Sequence, residues 1–243
     1  MVALRGYPLF GRGRGRLTAA EVRRLTDAGK RHNVVVFPTA TLIGHHENML
    51  SIPAFQHLGR QVFHSMSSLD PNKPAVRDFL ADLIDQVCEM FPDSPYFHGG
   101  FDETQGLNAE ELIGHANWCA GRIASHGKKM LMWVDMFKHH FGHDRIHELS
   151  EHIIPVEWSY SNPGNQREAY RKAGLKPLGL AGYRNWCSHL PDFSCSKKNL
   201  REWAEIAEDW GSDGFYCSMW GDQGYENARD LPWNLFAFNG EIA

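Results

Sequence analysis

The chain has 243 residues, 42% apolar and 22% charged, the composition of a globular protein with one or two domains rather than of a disordered or fibrous one. Its 25 Lys and Arg against 29 Asp and Glu leave a net charge of −4, without the positive excess of a nucleic-acid binder, so nucleic acid is a poor first candidate. No apolar run approaches the roughly 18 residues of a membrane span, and the N-terminal segment carries too short an apolar stretch for a secretory signal. A soluble, cytoplasmic protein is the expectation. Five cysteines without a C-x-x-C pair point to reduced thiols, and Cys187 and Cys217 read as structural rather than nucleophilic.

The first element in chain order is a helix opened by Thr18-Ala-Ala-Glu21, a capping box, with Leu17 and Val22 able to form a hydrophobic staple, and running to about residue 32. Val34-Val35-Val36-Phe37 follows, an apolar run closed by Pro38 that predicts a strand buried on both faces. Pro74 suits the first turn of a second helix reaching Met90, with Phe79, Leu80, Leu83, Ile84 and Val87 at helical spacing, before a strand at Tyr96 to Phe101. Asn108-Ala-Glu-Glu111 opens another helix to about His126, ended by Gly127 before a strand at Met130 to Asp135. Further strands are expected at Ile153 to Trp158, Leu178 to Tyr183 and Phe215 to Trp220, the last after a helix from about Lys197 to Trp210 stopped by Gly211.

Strands alternating with helices predict an α/β fold with a parallel sheet. No glycine-rich phosphate loop joins a strand to a helix and no low-complexity linker divides the chain, so a single domain of the (β/α)8 barrel type is favoured over a doubly wound sheet. About six strand-helix steps can be identified where a closed barrel needs eight, so the barrel is expected to be incomplete.

In such barrels the site lies at the carboxyl ends of the strands. Those ends deliver His98-Gly-Gly-Phe-Asp102-Glu103, Trp133-Val-Asp135, Glu157-Trp158-Ser-Tyr160, Tyr183-Arg-Asn185-Trp186 and Trp220-Gly-Asp222, while the first strand leads to Gly44-His45-His46-Glu47. Four of the eight tryptophans therefore fall at the ends of four successive strands, where flat rings match the C–H faces of a sugar and neighbouring carboxylates can bind its hydroxyls. Adjacent Asp102 and Glu103 are poorly placed to flank a scissile bond as nucleophile and acid, because neighbouring strand residues point to opposite faces. They fit better if one is the acid and the other steers a nucleophile carried by the substrate.

On these stretches, together with Phe37-Pro38, Asn48-Met49-Leu50 and Ser218-Met219, the chain resembles the family 20 glycoside hydrolases, the β-N-acetylhexosaminidases, and within them the hexosaminidase D-like group. Phe101, between the glycines and the acids, departs from the commoner His-x-Gly-Gly-Asp-Glu pattern. The resemblance implies release of terminal GlcNAc or GalNAc by substrate-assisted retention: the 2-acetamido carbonyl attacks C1, Asp102 orients the acetamide and Glu103 is the acid/base. It also implies that Trp133, Trp158, Trp186 and Trp220 line the sugar pocket with His45 and His98, that Asp135 or Asp222 binds hydroxyls, and that Tyr160 or Tyr183 donates to the acetamido oxygen. The family's two strands before Leu17, and an arginine near the first of them, find no match here. That implies either a fragment of the family barrel or a barrel that is open, rearranged or closed by a partner chain, and leaves a non-catalytic carbohydrate-binding remnant as the alternative.

No cofactor is expected. His45-His46-Glu47 and His139-His140-x-x-His143 bunch possible metal ligands, but neither has a metallohydrolase spacing, and exposed loop histidines are the better reading. Gly11-Arg-Gly-Arg-Gly15-Arg16 lacks the third glycine of a dinucleotide fingerprint and reads as a basic turn.

Overall fold

A computed structural model describes residues 2–10, 15–62, 65–164, 166–184, 190–220 and 233–242. The chain falls into two compact units, the first of Met1–Met132 with Glu148–Ile153, the second of Trp133–His147 with Ile154–Ala243.

In the first unit, α1 (Ala19–Arg31) begins with the capping box: the Glu21 amide donates to Thr18 Oγ1 at 3.3 Å and the Thr18 amide to Glu21 Oε2 at 2.7 Å. A short helix, α2 (Glu47–Leu50), precedes the antiparallel hairpin β1 (Gly59–Val62) and β2 (Ser65–Leu69). The 17-residue α3 (Pro74–Met90) has its proline in the first turn and buries Phe79, Leu80, Leu83, Ile84 and Val87, the residues at helical spacing. Its C-terminal carbonyl region is held by the ammonium of Lys128, only 3% exposed, which donates to Phe91 O at 2.7 Å and Ser94 O at 2.8 Å. β3 (Tyr96–His98) lies parallel to β4 (Lys129–Trp133), with Phe97 opposite Met130 and His98 opposite Leu131. Between them runs α4 (Ala109–Ala124), whose second capping box pairs Asn108 with Glu111.

The apolar run Val34–Phe37 is not a strand. Val34 and Val35 are 56% and 54% exposed, and the backbone that joins β3 lies further on: His98 N donates to Pro38 O, Ala40 N to His98 O and Leu42 N to Gly99 O, at 2.9 to 3.0 Å. Pairing is fixed by where Leu42 and Ile43, both fully buried, enter the core, and this leaves the valines outside it. β3 is likewise shorter than expected, because left-handed residues begin at Gly100.

In the second unit, Val134 N donates to Val156 O at 3.2 Å, and β5 (Ile153–Trp158), β6 (Leu178–Gly182) and β7 (Phe215–Ser218) form a parallel ladder in sequence order. In both units each parallel strand pairs with its successor, the connectivity of a barrel; a doubly wound sheet reverses order at its switch point. The fold class is thus α/β, an incomplete barrel type. α5 (Arg167–Ala173) ends at left-handed Gly174, and α6 (Phe193–Trp210) at left-handed Gly211. α6 starts four residues before the expected Lys197 because Asp192 accepts from Cys195 N at 3.0 Å and caps it earlier. Fully buried Trp203 of α6 lies against Gly179 of β6, where a Cβ would collide with its ring, and its Nε1 donates to Ser159 O at 3.0 Å. Asn199 supports the same corner, donating to Ser159 O and accepting from Gly182 N. α7 (Trp233–Ile242) adds Leu235 to this core. Among the described residues no helix is long and apolar enough to cross a membrane.

Candidate active site

A pleated strand would send Asp102 and Glu103 to opposite faces. The chain is not pleated there. Gly100, Phe101 and Glu103 have φ of +76°, +85° and +48°, so the backbone coils in the left-handed region and both carboxylates turn toward one histidine. For a bulky residue such as Phe101 that conformation costs on the order of 1–3 kcal/mol. It is held because the Phe101 side chain is fully buried, with its ring 5.9 Å from that of His115. The phenylalanine that interrupts the family pattern therefore anchors the turn that presents the acids.

His45 approaches from the other arm. Its own φ is +54°, and the residue before it must be glycine, since a Cβ on Gly44 would stand 2.9 Å from Asp102 O. Its Nε2 lies 3.2 Å from Asp102 Oδ2 and 3.7 Å from Glu103 Oε2. The hydrogen bond to Asp102 is the main cause that raises the imidazole to about 9, outweighing partial desolvation, with the charges of Asp102, Glu103 and Glu47 adding to it. At neutral pH the ring is therefore a cation within reach of both acid side chains. The Asp102 side chain is 19% exposed and that of Glu103 62%.

His98 lies behind the turn, 3% exposed, and burial depresses it to about 4. Its Nδ1 accepts from Gly100 N at 3.1 Å, so the neutral ring carries its proton on Nε2 and pins the start of the turn. His46 and His115 are also buried and held near 4 by desolvation.

The second unit carries the aromatic candidates. Trp158 and Tyr160 lie 5.4 Å apart between ring centroids, and the Tyr160 hydroxyl accepts from Trp220 Nε1 at 2.6 Å. Trp158 Nε1 is buried with no hydrogen-bond partner among the described residues. Trp133 is 7% exposed and packs at 5.8 Å on Tyr216, which the sequence did not single out. Asp135 is buried at the end of β4, and Tyr183 is buried too, its phenol pushed up by desolvation. Trp186 and Asp222 lie outside the described residues, as do Asn185 and Cys187.

One charged group, named from the sequence only as part of a strand end, is given no role there. Glu157, 2% exposed, has Lys138 Nζ at 3.6 Å and the fully buried Tyr170 beside it, and burial raises its carboxyl. The apolar context Ile153-Ile154-Pro155-Val156 was the available signal, because a carboxylate inside such a strand needs a partner. No group of three or more His, Cys, Asp or Glu among the described residues could hold a metal ion.

No family model matches the chain. It is 25% identical over 239 residues to hexosaminidase D of Bos taurus, an alignment spanning 85% of this chain and 68% of that protein. It is 22% identical over 224 residues to hexosaminidase D of Homo sapiens, spanning 80% of this chain and 46% of that one. Among solved structures, the β-N-acetylhexosaminidase of Bacteroides fragilis superposes with a TM-score of 0.75 at 17% identity, covering 99% of this chain and 56% of its own. The family 20 exo-β-N-acetylglucosaminidase of Vibrio harveyi gives 0.69 at 16% identity, covering 94% and 41%. The chain thus spans about two thirds of the bovine relative and roughly half of the others. Its fold is the α/β barrel type of these glycosidases, in incomplete form. Its sequence is similar to hexosaminidase D at low identity, and its fold to that of the family 20 glycosidases.

Proposed function

We propose that the chain hydrolyses terminal β-linked N-acetylhexosamine, GlcNAc or GalNAc, by a substrate-assisted retaining mechanism. The relatives are named as hexosaminidases, which supports the general reaction. The observation that carries the finer reading is the convergence of His45 on both Asp102 and Glu103.

In this mechanism the Glu103 carboxyl gives its proton to the glycosidic oxygen as the C1–O bond breaks. The acetamido carbonyl oxygen of the same sugar forms the new bond to C1, giving an oxazolinium ion. Asp102, 3.2 Å from the His45 ring in the free chain, accepts the acetamido N–H and stabilises the positive charge that spreads onto that nitrogen. Glu103, now a carboxylate, takes a proton from water as the water attacks C1, and the β configuration is retained. Adjacent acids suit this chemistry because only one of them must reach the leaving oxygen. Because the Glu103 side chain stands 62% exposed, the water-excluding surface has to arrive with the sugar. Trp133, Trp158, Trp186, Trp220, His45 and His98 are the residues proposed for sugar binding, with Asp135 or Asp222 for hydroxyls and Tyr160 or Tyr183 for the acetamido oxygen.

The test is Glu103→Gln assayed with an aryl β-N-acetylhexosaminide, alongside calorimetry with an N-acetylglucosamine thiazoline. Loss of turnover with retained thiazoline binding is expected. Thiazoline binding by a parent chain that turns over nothing would instead favour a carbohydrate-binding remnant.

A further inference from the structure

We infer that Arg60 is a positioning residue for the acid loop, acting through the β1–β2 hairpin, which sets the spacing between His45 and the Asp102–Glu103 turn. The inference rests on the reading of those two carboxylates as the working acids. The Arg60 guanidinium bonds to Gly106, Glu111 and Asp70 rather than to the acids, yet both arms of the site hang on its hairpin.

On one side, β2 holds the His45 arm: the His46 amide donates to Ser67 O and the Leu69 amide to Ile43 O, both at 2.8 Å. On the other, it holds the acid loop: the Gln105 amide, two residues after Glu103, donates to Ser68 Oγ at 3.1 Å. The next residue, Gly106, is left-handed at φ +71° and sits so close to Val62 of β1 that a Cβ would collide with it. Arg60 closes the brace. One guanidinium nitrogen donates to Gly106 O at 2.5 Å and to Glu111 Oε2 at 2.8 Å, and the other to Glu111 Oε1 at 2.6 Å and Asp70 Oδ1 at 3.1 Å. Glu111 in turn caps the start of α4 through Asn108 and accepts from Asn72 Nδ2 at 2.6 Å.

The geometry matters because the guanidinium fork does two jobs that a point charge cannot do together. It bonds to the carboxylates of both Glu111 and Asp70, and it fixes the carbonyl of Gly106 at a set distance from them. The side chains of Arg60, Asp70 and Glu111 are only 17–19% exposed, so the network is poorly screened and holds its shape. If it slackens, Gln105 and Gly106 drift, and with them the reach from His45 to Asp102 and Glu103. A displacement of about 1 Å at such a site can cost on the order of 100-fold in rate.

Three variants test this: Arg60→Met, Arg60→Lys and Ser68→Ala. Each is measured for kcat and KM on an aryl β-N-acetylglucosaminide, for Tm, and for the NMR titration midpoint of the His45 ring. Arg60→Met and Ser68→Ala are expected to lower kcat by about 10- to 100-fold with KM within about two-fold. Arg60→Lys is expected to recover Tm, by restoring the charge, without recovering kcat. In both Arg60 variants the His45 midpoint should fall from about 9 toward 6.5. The inference is overturned if kcat simply follows Tm, if lysine restores both, or if the His45 midpoint is the same in all variants. Should the parent show no turnover, the proposed function fails on its own and the His45 midpoint alone decides the positioning role, moved upholding it and unmoved overturning it. Ser68→Ala, which removes one hydroxyl and no charge, keeps the test decisive if an Arg60 variant fails to fold.

Discussion

Replacing His45 by glutamine isolates the interaction that joins the two acids. The imidazole is raised from 6.5 to about 9 by its hydrogen bond to Asp102 and the surrounding carboxylates. Because the folded state then holds its proton more tightly than the unfolded chain, the stabilisation is fully present below pH 6.5 and is lost as pH rises through about 9. Taken in full, that shift would be worth about 3 kcal/mol. The His45 side chain is 42% exposed, however, and solvent screening reduces the expected contribution to about 1 kcal/mol. Urea unfolding of the parent and of His45→Gln at a series of pH values between 6 and 10 measures it directly. The parent should lose about 1 kcal/mol more than the variant across that window, with the two curves converging above pH 9. Parallel curves would show that the carboxylates do not hold the ring, and would remove the observation on which the proposed chemistry rests.

Two other predictions concern the frame around the site. His46, His98 and His115 are buried and depressed to about 4, so the unfolded chain binds protons that the folded one refuses between 6.5 and 4. Stability measured by urea midpoint should therefore fall as pH drops through that range, and His115→Gln should make the fall shallower; an acid limb unchanged by the substitution would contradict the buried neutral state. In the second unit, Gly179→Ala places a methyl into the Trp203 ring and should cost about 1–3 kcal/mol, seen as a lower urea midpoint with a blunted tryptophan emission change; a neutral effect would mean that α6 does not pack on β6 as described.

Much of the frame can be read from local chemistry. The capping boxes at Thr18–Glu21 and Asn108–Glu111 mark two helix starts because the stabilising partner lies within one turn, and Gly211 ends α6 by the same locality. The apolar run at Val34–Phe37 misleads because strand identity depends on a partner, and β3 pairs instead with the segment from Pro38 to Leu42. The hairpin from Gly59 to Leu69 has neither clean alternation nor a tight-turn dipeptide, so nothing local announces it, and Arg60 with it escapes notice. At the site, the adjacency of Asp102 and Glu103 suggests their chemistry, but the pleat rule would set them apart. Their common facing needs the left-handed turn at Gly100 and Phe101, and His45 meets them only through the fold.

The central claim is that the sugar's own amide performs the attack. Turnover of the purified chain on paired aryl glycosides, one a β-N-acetylglucosaminide and the other the plain β-glucoside, tests it most directly. Cleavage of the first with release of the β anomer, and none of the second, is the outcome required by Asp102 steering an acetamide beside Glu103. Equal rates on both substrates would contradict it.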